Sequence, residues 1–207
     1  MNAPLFELHL TVRAEDDAAL ARFRAFCAER GVGCTVLELA RGQARLQPMT
    51  STHHKACLED VRGHAGVLSH ALEAAGFPVL RMKIESHPES PGVPTTDAEA
   101  RLQPDSRYFE HHVKVLLPAQ EGLERLVSTC VTHGGHVSST PRRVRPDGAH
   151  AHFVTTRHRG VGFSSALERR QGVVQALTAA DFQVLSAESE YVMVDTNSGL
   201  DRGWLPS

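Results

Sequence analysis

The chain repeats itself. Set against itself at an offset of 103, it matches Phe6, Glu7, His9, Val12, Leu20, Arg22, Cys27 and Gly31 with Phe109, Glu110, His112, Val115, Leu123, Arg125, Cys130 and Gly134. After a two-residue slip the offset becomes 105, and Thr50, His53, Ala71, Leu72, Phe77, Leu80 and Glu85 match Thr155, His158, Ala176, Leu177, Phe182, Leu185 and Glu190. Whatever fold the chain takes must therefore be built from two like units, each supplying the same succession of elements.

Residues 6–12 and 108–117 alternate apolar and polar, the period of a half-buried strand. Leu20, Phe23, Phe26 and Cys27, mirrored by Leu123, Leu126, Cys130 and Val131, recur at helical spacing and stop at Gly31 and Gly134, where glycine suits a left-handed helix end. Strands are predicted near 33–40 and 43–50, and again near 136–142 and 149–156. A second helix follows in each copy, with Leu58, Val61, Ala65, Leu68 and Leu72, or Phe163, Ala166, Val173 and Leu177, on one face. A last strand closes each unit. The order is βαββαβ twice, which predicts an α+β fold, a tandem duplication of a ferredoxin-like unit. The expectation is two antiparallel sheets, each with helices on one face, related by a pseudo-twofold. Residues 1–86 form the first repeat, 87–107 a linker rich in Pro, Ser and Thr, 108–194 the second repeat and 195–207 a tail in which Trp204 is expected to pin the chain to a surface. The helix-free faces could close on each other as a cleft or barrel, or lie side by side in water; two sheets around one polar cleft is the expectation taken forward.

Composition narrows the function. Of 207 residues 41% are apolar, and the formal net charge of −2 gives no global pull toward nucleic acid or an anionic membrane. No apolar run is long enough for a membrane span. The first residues lack a signal-peptide pattern, so a cytoplasmic location is expected, for a monomer or homodimer. Cys27, Cys34, Cys57 and Cys130 form no CxxC pair and read as reduced core residues. No glycine-rich phosphate loop is present, so no nucleotide cofactor is expected. The conspicuous number is 13 His.

Alternation places the polar residues. With Phe6, Leu8 and Leu10 toward the helices, Glu7, His9 and Thr11 face the other way, as do Glu110, His112 and Lys114 in the second copy. The fourth strand of each unit adds Arg81, Lys83 and Glu85, or Ser186, Glu188 and Glu190. The third strand is expected to bring Thr50 and His53, or Thr155 and His158, to the same end, and to set His150 and His152 beside His112, where the first copy has Arg45 and Gln47. His9, His112, Glu7 and Glu110 are the candidate catalytic groups. Thr11, Arg45, Arg81, Lys83, Lys114, Thr50, Thr155, His53 and His158 are the candidate substrate contacts. Glu110, His112, His150, His152 and Glu190 are the candidate ligands of a divalent transition metal, Zn, Fe, Ni or Mn, because imidazole and carboxylate suit such ions. The expected function is a metal-assisted enzyme, hydrolase-like, acting on a small anionic molecule bearing phosphate or carboxylate.

His9-Leu10-Thr11 resembles the HxT element of the two-histidine phosphoesterases, bilobal proteins with one such element per lobe. The resemblance implies one imidazole as base, the other as acid and a Thr hydroxyl on the phosphate, and carries over His9, Thr11 and His112; the second copy departs from it with Lys114 in the Thr position. A metal-free phosphoesterase is thus one alternative, and a non-catalytic small-molecule sensor or assembly module another. Arg142, Arg143 and Arg145 cluster at a predicted hairpin that could steer an anion, while Asp195, Asn197 and Asp201 read as a turn.

Overall fold

A computed structural model describes residues 3–118, 122–144 and 148–203, without the side chains of 141–144. Trp204, Arg145 and the side chains of Arg142 and Arg143 lie outside the described residues. The elements are β1 (Leu5–Val12), α1 (Asp17–Arg30), β2 (Gly33–Leu39), β3 (Leu46–Lys55), α2 (Leu58–Ala74), β4 (Val79–Ser86), α3 (Asp97–Ala100), β5 (Tyr108–Leu117), α4 (Leu123–Val131), β6 (His136–Val144), β7 (His150–His158), α5 (Phe163–Ala179) and β8 (Gln183–Asp195), followed by a 3-10 turn at Ser198–Asp201. Local chemistry sets several ends. Asp16 accepts from the Ala19 amide at the start of α1, and Gly31 ends that helix with φ 65°.

The two halves do not form two sheets. Their strands join into one closed antiparallel barrel in the order β1-β3-β2-β6-β7-β5-β8-β4, which corrects the expected pair of sheets around a cleft. Closure happens at two seams. One joins β4 to β8 over four residue pairs from Lys83↔Asp195 to Ser86↔Tyr191, the other joins β2 to β6 at only Glu38↔Ser139 and Leu39↔Ser138. Closure satisfies the edge strands that two open sheets would leave bare. It also turns each helix-free face inward, so that the polar residues line a lumen while the helices cover the outer wall.

The outer wall holds the apolar cores. Phe6, Leu8, Leu10 and Val12 pack with Phe23, Phe26, Val61 and Leu72 in the first half, and Val113, Val115 and Leu117 with Leu126, Val173 and Leu177 in the second. The linker is part of the structure: α3 carries a capping box between Thr96 and Glu99, and the preceding Pro94 and Thr95 carbonyls accept from Phe163 and Ser164 at the head of α5. That backbone runs so close that a Cβ at Gly162 would collide with Thr95 and Thr96. No helix among the described residues is long and apolar enough to cross a membrane.

Candidate functional site

The lumen contains a cavity of about 450 Å3 lined by residues of all eight strands, among them Glu7, His9, Leu37, Met49, Lys83, Glu85, Glu110, His112, Ser138, Thr155 and Glu190. Its charged groups form one chain of alternating sign. His9 Nε2 lies 3.3 Å from Glu7 and 3.2 Å from Glu85. Glu85 meets the Lys83 ammonium at 2.6 Å, and Lys83 meets Glu110 at 3.0 Å. From Glu110 the chain branches. One arm runs through His112, whose Nε2 is 3.6 Å from Glu110 and 3.4 Å from Glu190. The other runs from Arg157, 2.8 Å from Glu110, to Asp201 at 2.7 Å, then to Arg81 at 2.9 Å and Asp195 at 2.7 Å.

Glu7, Glu85, Glu110, Glu190, Asp195 and Asp201 face the three fixed cations Lys83, Arg81 and Arg157, so the lumen holds more carboxylates than cations until protons are added. The imidazoles take them. Burial opposes a charge on His9, but the contacts to Glu85 and Glu7 outweigh it and hold the group above its ordinary value. Burial likewise opposes charge on His112, and Glu190 and Glu110 outweigh it. Glu110 is held low against its burial by Arg157 and Lys83, and Glu85 by Lys83 and His9. Glu190 is the exception: burial and the charge of Glu85 raise it despite His112. Each proton held by His9, His112 or Glu190 offsets one of the excess carboxylates.

The two imidazoles are not equivalent. His9 Nδ1 is 3.1 Å from the Thr50 carbonyl, which can only accept, so Nδ1 carries hydrogen and Nε2 points at carboxylates. His112 Nδ1 instead meets the Thr155 hydroxyl at 3.1 Å, which can donate or accept. His9 Nδ1 is fixed as a donor, whereas His112 Nδ1 can donate or accept and so can change its proton without losing that partner.

The structure brings Glu7, His9, Thr11, Arg81, Lys83, Glu110, His112, Thr155 and Glu190 to the cavity wall. Others go elsewhere. Arg45 bonds the Leu39 carbonyl and pairs with exposed Glu38. Lys114 sits over the Phe153 ring at 5.8 Å. His53 reaches Glu7 at 3.5 Å from an exposed position at the rim. Thr50 pairs with Leu10 and turns to the outer wall, where its hydroxyl accepts from the Leu10 amide. His158, paired with Phe109, faces outward beside the His111 ring. His150 and His152 do not join His112: β7 presents Phe153, Thr155 and Arg157 inward, which turns His152 to the outer wall under Leu123 and Val127 and corrects its expected place among metal ligands. Among the described residues, Glu85, His112 and Glu190 form a group that could hold an ion, with ligand atoms within 4.8 Å of one another. Of the cysteines, only Cys27 and Cys130 are core residues; Cys34 and Cys57 are exposed.

Sequence reasoning passed over Arg157 and Tyr108 and read Asp195 and Asp201 only as part of a turn. Arg81 is gripped by both oxygens of Asp195 and by Asp201, with the Tyr108 hydroxyl donating to Asp195 at 2.7 Å. Asp201 is 1% exposed and also accepts from Gln47, so the tail turn is an internal counter-ion. The signal was available: Arg81 and Lys83 on an inward register need buried partners, and the tail supplies two acids.

No protein-family model matches the chain, and no curated protein does. Among solved structures it is similar to a protein provisionally assigned as a glycine cleavage system transcriptional repressor, at 10% identity and TM-score 0.32 over 90% of this chain and 96% of that one. It is similar also to the small subunit of acetolactate synthase from Thermotoga maritima, at 10% identity and TM-score 0.31 over 93% and 96%. A mutant chlorite dismutase from Candidatus Nitrospira defluvii matches at 12% identity and TM-score 0.31 over 97% and 94%. Similarity at this level transfers no activity.

Proposed function

We propose that the lumen is an acid–base site for a small polar substrate that is neutral or positively charged, with His112 and Glu190 as the groups that exchange a proton with it. The observation that carries this reading is the position of two imidazoles, each between two carboxylates, on the wall of one cavity. A cavity of this size suits a small molecule. Glu190, about a quarter exposed, pairs with His112 rather than with a fixed cation, and its raised affinity for a proton suits a donor. The anionic substrate expected from Arg81 and Lys83 has lost its anchors, because both cations are spent on buried carboxylates. The phosphoesterase mechanism fits poorly for the same reason: carboxylates flanking each imidazole repel a phosphodiester.

A second reading keeps the metal. Glu85, His112 and Glu190 offer one nitrogen and two carboxylates, a set suited to a divalent transition ion. The test is incubation of the untagged protein with a panel of small amines, amides and sugars, with products followed by mass spectrometry and bound metal measured in the same sample. Turnover that falls by roughly 100- to 10,000-fold in His112→Gln or Glu190→Gln supports the acid–base site. Stoichiometric metal lost in both variants supports the second reading. Binding without conversion in the parent replaces catalysis with a sensor role.

A further inference from the structure

The weak seam of the barrel carries a feature that the acid–base site does not use. Because β2 meets β6 at only two residue pairs, the strand residues before Glu38 part from their neighbour, and the lumen cavity reaches Arg24 of α1 and Cys34 and Val36 of β2 there. Cys34 is exposed, and its thiol shares a hydrogen bond with that of buried Cys27, near the end of α1. Arg24, one helical turn before Cys27, acts on the same thiol.

We propose that Cys27 and Cys34 are a redox-active dithiol at the cavity mouth, in which Cys34 is the thiolate that a hydroperoxide oxidises and Cys27 the thiol that resolves it into a disulfide. The two sulfurs share one proton unequally. The Cys27 thiol donates to Cys34, burial opposes the charge and Arg24 favours it, which pulls Cys34 down to about 7, while Cys27 is raised by the same bond and by its burial. The Cys34 thiolate attacks the peroxide oxygen, the O–O bond breaks, and hydroxide or alkoxide leaves with the electron pair, giving a sulfenic acid. Cys27 then attacks that sulfur, an S–S bond forms, the S–O bond breaks, and the departing oxygen with the Cys27 proton leaves as water. Sulfur is oxidised by two electrons and the peroxide is reduced by two. The cysteines are seven residues apart, Cys27 near the end of α1 and Cys34 at the start of β2, so a disulfide between them closes a short loop.

The test uses the full chain, reduced and then treated with hydrogen peroxide. Peptide mapping without reductant should find a Cys27–Cys34 cross-link that dithiothreitol reverses. In Cys27→Ser, which keeps a hydroxyl donor but cannot form the bridge, Cys34 should stop at the sulfenic acid and be trapped by dimedone. Iodoacetamide at pH 7 should alkylate Cys34 in the parent and in Cys27→Ser roughly 5- to 10-fold faster than in Cys27→Ala, which removes the donor. Free thiols at both positions after peroxide, a cross-link between Cys34 and another cysteine, or equal alkylation in all three proteins overturns the proposal.

Discussion

His111 and His112 are neighbours in the chain and opposites in chemistry. His112 looks into the lumen, between Glu110 and Glu190, and is held above its ordinary value by them. His111 looks outward under α5, with 0% of its surface exposed, its Nδ1 2.9 Å from the Ser189 hydroxyl and Arg170 on that same hydroxyl. Burial, then His158 and Arg170, push it down to about 3. One residue of alternation thus decides whether an imidazole is a cation in a polar lumen or a neutral ring in an apolar wall. His152 and His158 share the outer fate at about 4 each, through burial and the nearby His150 and Arg169 respectively. The barrel separates histidines on the wall of a polar cavity from those that fill space behind it.

The largest effect is expected at the buried counter-ion of the lumen, Asp201. Asp201→Leu strips Arg81 and Arg157 of a shared buried partner and should cost about 3–5 kcal/mol in urea unfolding. His111→Leu, on the outer wall, gives up one hydrogen bond and should cost only about 1 kcal/mol. Equal costs would mean that the lumen charges are not the structural frame.

Acid titration comes next. A histidine whose folded value is depressed is protonated in the unfolded chain first, so stability falls as pH drops below about 6.5 and continues to fall until the folded group takes its proton. His111, His152 and His158 therefore predict a loss beginning near pH 6.5, at up to about 1.4 kcal/mol per unit for each ring. His111→Leu should make that limb shallower. Carboxylates held low by their partners, such as Asp195 beside Arg81, add their own loss only further down, below their ordinary range.

The lumen histidines act with opposite sign. Their folded values are raised, so their contribution is fully present below the ordinary value and fades as pH rises through the raised ones. His112→Gln should flatten the alkaline side of the stability profile and leave the acid side unchanged. A variant that instead alters the acid limb would place His112 with the outer set.

The sequence was most legible where strands have one apolar and one polar face. Alternation in β1 and β5 sent Glu7, His9, Glu110 and His112 inward, as found, because a wrong register would have exposed Phe6, Leu8 and Val113. It misled in β7, where His-Ala-His-Phe-Val-Thr-Thr-Arg-His is mixed on both faces and either register reads well. The repeat itself added to the error. Thr50 and His53 match Thr155 and His158 at an offset of 105, yet on the ladders His9 faces Ser51 and His112 faces Thr155, while Glu7 faces His53 and Glu110 faces Arg157. That is a one-residue shift, enough to turn identical residues to opposite faces. Barrel closure left no comparable trace, since the seam pairs β2 with β6 and β4 with β8, strands from different copies with no shared pattern. Asp201 was hidden because its partners are more than 40 residues distant in the chain.

The central claim is that one strand carries a charged imidazole on its inner face and a neutral one on its outer face. An NMR titration of the ring nitrogens and carbons, with His111→Leu and His112→Gln for assignment, reads both at once. At pH 6.5 His112 should be more than half protonated and titrate above that value, while His111 stays neutral as the pH is lowered toward 4. Two curves with a common midpoint near 6.5, or a protonated His111 beside a neutral His112, would contradict the claim.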